Sequence, residues 1–373
     1  MPENKKQHYV PQFYLKSFSK DRTNIYNYHL NSKKLSRMPI KDTCQASYFY
    51  CNDSEYEKML SDLEQLQAKV IKKIIESQSL NYIEKEDYFH LLLFLLLQHS
   101  RTKQTKIVMD NTIDDLFNVC FIPYINKTQE KNIGYVKATV ERSHILAMAP
   151  AMMGVELIID LSPVLIVNNT ETFFITSDAP IVLYNYIKIK DYSLLGFQSP
   201  GLQIYCPLNE KLLLLLIHAD FYNITQESII TVKNTSDVDE LNKLQFLNCL
   251  RSVICSENVE LSYLINLHKS IDDKIGQNKM KAEFINTRSQ EESGNRKTIK
   301  ISREPIDYNL KLSFLKLNHE GDRVFKPWIK ETIKRNPTVV PVRDKNICDI
   351  VNKRIDENKK EIEKFKKEIN EIS

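Results

Sequence analysis

The spacing of hydrophobic positions changes character part-way along the chain. Up to about residue 161 they recur at steps of three and four, as on amphipathic helices. Beyond it they fall in short runs separated by turn residues, as in strands. The spacing predicts a helix over residues 55–76, with Met59, Leu63, Leu66, Val70 and Ile74 on one stripe and Glu and Lys opposite. A second long helix is expected over 84–106. Its middle, 91–97, is apolar on every side and must be buried, and it emerges at Gln98-His99-Ser100-Arg101-Thr102. Residues 110–120 and 132–161 read as further helices, with Met148, Met152 and Met153 packing the core.

Strand-like runs follow at 164–167, 173–176, 181–184, 203–205 and 212–217. Residues 237–253 return to helix, and 293–301 read as a polar hairpin or loop. Ahead of the helices, residues 25–30 and 33–35 flank an Asn31-Ser32 turn and form an expected β-hairpin; 48–50 read as another short strand. At the far end Ile347, Val351, Ile355, Ile362, Phe365, Ile369 and Ile372 form a helical seam among charges. The expected fold class is α+β, a helical N-terminal half packed against a mostly antiparallel sheet, with a C-terminal charged helix. The segments are a basic strand and hairpin region at 1–50, a helical region at 51–161, a mixed region at 162–345 and an amphipathic helix at 346–373. That last helix packs on the body or pairs with a second copy.

Composition narrows the function classes. Apolar content of 42% and charged content of 27% suit a globular protein with a sizeable core. No apolar leader opens the chain and the longest apolar runs are far short of a membrane span, so a cytoplasmic protein is expected. Seven Cys without a CxxC pair argue against a disulfide scaffold. The seven Gly never lie within four residues of one another, which excludes the Gly-clustered phosphate loops of nucleotide-binding folds. Net charge is +4, yet residues 1–41 hold nine Lys/Arg against two Asp/Glu. With Tyr9, Phe13, Tyr14, Tyr26 and Tyr28 interleaved, this face could attract a nucleic acid and stack its bases, or form a solvated rim.

Candidate chemistry starts at His8-Tyr9-Val10-Pro11-Gln12-Phe13-Tyr14-Leu15, where a titratable ring precedes an aromatic and a backbone-fixing Pro. His8 is either a general base or a hydrogen-bonded structural residue. Gln98 and Arg101 share a helix face, so Arg101 could hold a phosphate or pair with a structural acid. Glu64 stands one position off the predicted stripe, where solvent is the default. Asp178, in Ser177-Asp178-Ala179-Pro180, is either a strand-end acid or the cap of its own turn. Asn242 reads as a surface residue.

These pieces carry a resemblance. The opening at 8–15, Leu63-Glu64, Gln98-x-x-Arg101-Thr102, the Ser177-Asp178-x-Pro180 turn, Pro207-Leu208 and Leu241-Asn242 follow one another as in the bacterial domain of unknown function family 4238. Lys103 departs from the Pro often found there. The resemblance implies that His8, Glu64, Gln98, Arg101 and Asp178 converge in one pocket. Such a set suits acid/base hydrolysis of nucleic acid or a nucleotide, as in a toxin or phage-defence effector, with Arg101 on the phosphate. Mg²⁺ or Mn²⁺ could sit between the His and the two carboxylates. The alternative is a non-catalytic interaction protein in which His8, Arg101 and Asp178 form a buried structural network. A Ser177 hydrolase is the weakest choice, since no G-x-S-x-G elbow surrounds it.

Overall fold

A computed structural model describes residues 6–50, 54–129, 132–187, 195–223, 228–275, 280–287, 296–303, 308–318, 326–335 and 342–344. The fold is α+β. Strand β1 (Lys6–His8) runs into a one-turn helix α1 (Gln12–Leu15), and the hairpin β2 (Asn24–His29) and β3 (Lys34–Pro39) follows as expected. A short β4 (Gln45–Ser47) pairs back on β1. Residues 48–50, expected as a strand, form a turn instead, with the Tyr50 amide donating to Gln7 Oε1 at 2.7 Å.

Helices α2 (Ser54–Ser77), α3 (Lys85–Ser100), α4 (Lys103–Gln129) and α5 (Ile145–Met153) come next. On α2 the buried stripe runs through Leu60, Gln67, Val70, Ile71 and Ile74, with Met59 and Leu66 exposed. The predicted stripe was therefore rotated by about one position, because an apolar pattern cannot show that Gln67 belongs on the inner face. The helix expected over 84–106 breaks at Arg101. Ser100 turns its hydroxyl back to the Leu96 and Leu97 carbonyls, and the Thr102 hydroxyl accepts the Thr105 amide at 3.1 Å, capping a new helix. Residues 132–140, read as helix, are irregular. Asn118 exchanges hydrogen bonds with both backbone groups of Val136, Asn126 does the same for Ile133, and Asp114 accepts the Ala138 amide. Side chains of α4 thus supply the partners a helix would otherwise provide. Met148 is fully buried as expected, whereas Met153 is exposed.

The main sheet comprises β5 (Ser162–Asn168), β7 (Val182–Asn185), β8 (Leu202–Pro207), β9 (Leu212–Ile217) and β11 (Ile229–Val232), in the order β11-β5-β9-β8-β7. All its pairings are antiparallel except β11 with β5. Central strand β9 explains its own sequence: Leu212, Leu214 and Leu216 join the core shared with α2, α3 and α5, while Leu213, Leu215 and Ile217 join the core on the other face. An unbroken apolar run is what two buried faces require.

A second sheet, β3-β2-β12-β6, adds β6 (Thr176–Ser177) and β12 (Ser252–Cys255) to the hairpin. The strand expected over 173–176 shrinks to β6, and the helix expected over 237–253 ends early as α6 (Thr235–Asn248), so that Val253 lies in β12. Small pairs β10 (Tyr222–Asn223) with β15 (Lys316–Leu317) and β13 (Met280–Thr287) with β14 (Arg296–Arg303), and helices α7 (Leu261–Lys269) and α8 (Lys326–Arg335), complete the described elements. The expected C-terminal helix at 346–373 lies outside the described residues. No described helix is long and apolar enough to cross a membrane.

His144 is fully buried and stacks on Phe49, with centroids 4.2 Å apart. Burial lowers its pKa to about 4 from 6.5, and burial likewise lowers those of His8, His218 and His268. Between these values and 6.5 the unfolded chain binds more protons, so stability falls as pH drops. We expect acidification from pH 7 to 5 to cost roughly 1–2 kcal/mol through His144 alone. Thermal melts of His144→Phe should show a flatter pH dependence than the wild type.

Candidate functional site

The corner between α3 and α4 holds a buried guanidinium. Arg101 is 1% exposed; its Nε donates to Gln98 Oε1 at 2.9 Å and Nη1 to Glu64 Oε1 at 2.8 Å. Its remaining nitrogen, Nη2, has no described partner. Gln98, on the same face one turn earlier, passes the bond onward: its Nε2 donates to the Tyr9 carbonyl at 3.0 Å. Glu64 is therefore not on a solvated face. It is half-buried beside the inner stripe of α2, its side chain 29% exposed. One turn along, Gln67 is 1% exposed, and both its amide atoms lack a described partner.

His8 ends β1 at the rim of this cluster. Its Nδ1 lies 3.1 Å from the Thr43 carbonyl, and its Nε2 lies 3.1 Å from Gln12 Nε2. A carbonyl only accepts, so Nδ1 carries the proton and Nε2 presents its lone pair to the Gln12 amide. Pro11, extended at φ −62° and ψ 145°, starts α1 and brings Gln12 back under the ring. The Tyr50 hydroxyl donates to the His8 carbonyl at 3.0 Å. Burial lowers the His8 pKa, opposed by the bond to Thr43 and the nearby Glu64 charge, so the ring is neutral at pH 7.

Asp178 does not join this group. Its Oδ1 accepts the Leu250 amide at 2.8 Å, and its Oδ2 accepts those of Arg251 at 2.9 Å and Ser252 at 3.2 Å. Its own amide donates to the Ser252 carbonyl at 3.1 Å. It does not cap its own turn; the carboxylate reaches across to the α6–β12 connection instead. Burial raises its pKa to about 6 despite the three donors. Of the five residues implied above, Glu64, Gln98 and Arg101 are joined by hydrogen bonds, His8 adjoins Tyr9, whose carbonyl Gln98 holds, and Asp178 is placed elsewhere.

The chain belongs to the family described as Protein of unknown function (DUF4238), whose model matches residues 6–258. Neither a curated protein nor a solved structure matches it. The match to DUF4238 runs from β1 to just past β12, so it takes in the whole cluster and the Asp178 turn.

Within this family region α6 plays a part the sequence did not suggest. Asn242, read as a surface residue, is 1% exposed. It accepts the Ile175 amide at 3.0 Å and donates to the Phe173 carbonyl at 2.9 Å. Gln245 donates to the Pro180 carbonyl and accepts from the Ser177 hydroxyl, and Asn248 donates to the carbonyls of Ala179 and Ile181. Three amides at steps of three fix a segment whose own ladder, β6 with β12, covers only Thr176 and Ser177. The Asn-Gln-Asn spacing was the available signal; for Gln12 it was the step of four from His8.

No group of three or more His, Cys, Asp or Glu among the described residues is arranged to hold a metal, and Asp178 is bound to backbone amides. Of the expected stacking rings, Tyr9, Tyr14 and Tyr28 are buried, leaving Phe13 and Tyr26 half-buried. Lys6, Lys20, Lys33 and Arg37 of the basic segment pair with Asp42, Glu257, Asp272 and Asp21. We expect Asp178→Asn, which faces an amide NH₂ toward backbone donors, to lose about 1–3 kcal/mol in urea denaturation with an unchanged m-value.

Proposed function

We propose that the chain is a hydrolase acting on nucleic acid or a nucleotide, with His8 as its acid/base residue and Glu64 beside it. The observation that supports this reading is a neutral, partly exposed imidazole whose tautomer is fixed by a backbone carbonyl, near an ion pair whose Glu64 side chain is 29% exposed. On Nε2 the lone pair meets only the neutral Gln12 amide, which a water or substrate hydroxyl could replace. Arg101 is too deeply buried to grip a phosphate from solvent. Its role is to position Glu64 and to supply positive potential beneath the site. A divalent ion at the His8–Glu64 edge would need substrate phosphate oxygens to complete its shell. Because several basic residues of the N-terminal segment are already ion-paired, steering of a long polymer is weak, which favours a nucleotide substrate.

One observation favours the second reading, a non-catalytic interaction protein: Arg101 and Asp178 are 1% and 6% exposed and bind Gln98, Glu64 and the 250–252 amides. The two readings separate in one assay. Nucleoside triphosphates, labelled RNA, single-stranded DNA and duplex DNA are incubated with the protein in EDTA, Mg²⁺ or Mn²⁺. The hydrolase reading expects cleavage that His8→Asn reduces by about 10²–10⁴-fold at an unchanged melting temperature. Absence of cleavage in every lane, with a lower melting temperature for His8→Asn, assigns the cluster to structure.

A further inference from the structure

Gln98 and Arg101 lie on one face of α3, whereas Leu96 and Ser100, a turn apart, face the other way. There a cavity of about 230 Å³ opens between the end of α3, the first turns of α4, helix α5 and the loop carrying Phe197. Its walls include Val108, Met109, Ala147, Ala151, Leu157 and Phe197. Four polar side chains also reach it, His99, Ser100, Gln104 and Thr105, and the last three already make hydrogen bonds within the protein. The Ser100 hydroxyl bonds to the Leu96 and Leu97 carbonyls, that of Thr105 to the His99 carbonyl at 2.8 Å, and the Gln104 amide to the Asn248 carbonyl at 2.7 Å.

A buried water needs about two to four polar partners, so this lining holds water poorly. Apolar cavities of about 150 Å³ already accept benzene, so the space here suits one ring with a short substituent. The lining also offers contacts that rings prefer. Phe197 stands edge-on to His99, with centroids 5.5 Å apart at 79°, and the thioether of Met109 joins the same wall. Two walls are braced from outside: Arg343 donates to the carbonyls of Leu157 and Phe197 and grips both carboxylate oxygens of Asp160. The opening is therefore held at a set width.

We propose that this cavity binds a single aromatic ring, free or as the end of a larger molecule, at a site separate from His8. Fluorobenzene titrated into the full chain is followed by ¹⁹F NMR and by the methyl signals of ¹³C-methionine-labelled protein. The ligand line should broaden, and the Met109 methyl should shift while that of Met38, in β3, stays fixed. Ala151→Phe and Ala147→Leu, checked for wild-type circular dichroism, should each weaken binding at least tenfold. The methyl readout needs no cavity-filling variant and stands if both variants misfold. An unmoved Met109 signal, or equal broadening with folded, filled variants, overturns the proposal. Equal or tighter binding of 1-fluorohexane overturns the preference for a ring.

Discussion

A buried guanidinium is tolerable only when its charge is answered, and much of this molecule's N-terminal half is arranged around the two nitrogens of Arg101 that are bonded. Gln98 accepts from Nε and holds the Tyr9 carbonyl, and Glu64 answers with a carboxylate from α2. Through these bonds the α3–α4 corner, the long α2 helix and the strand-to-helix entry at residues 8–12 share one set of contacts. None of the three could shift by a turn without breaking one of these buried bonds. The half-open His8 sits on that frame, its ring aimed by Thr43 and Gln12. Whatever chemistry the rim performs, its geometry is inherited from the charge beneath it.

The same device recurs with neutral amides. Irregular backbone away from water must find partners, and here helices lend them from side chains: Asn242, Gln245 and Asn248 to residues 173–181, and Asp114, Asn118 and Asn126 to residues 133–138. These residues would be unremarkable on a solvated helix face. Facing a loop, they act as a detached ladder.

That substitution also explains what could be read from the sequence and what could not. Strands buried on both faces, such as β9, and the all-apolar middle of α3 are legible because burial alone dictates them. Amphipathic α2 was placed correctly along the chain but turned by about one position, since Gln67 and Glu64 face inward against their polarity. The break at Arg101 rests on two hydroxyls whose roles depend on direction, not composition. Residues 132–140 and 249–255 failed for the opposite reason: their partners are remote in sequence. Of the candidate site, Glu64, Gln98 and Arg101 came together with His8 alongside; Asp178 bonds instead to amides more than seventy positions away, which no local pattern announces.

The place of β12 sets the order in which the molecule can be completed. It lies between β2, near the start of the chain, and β6, and the Asp178 carboxylate closes on the turn that precedes it. The N-terminal hairpin therefore has an unpaired edge until residue 255 has left the ribosome, through the synthesis of more than two hundred intervening residues. Contacts of such long separation form late, and an open strand edge is vulnerable to wrong partners while it waits.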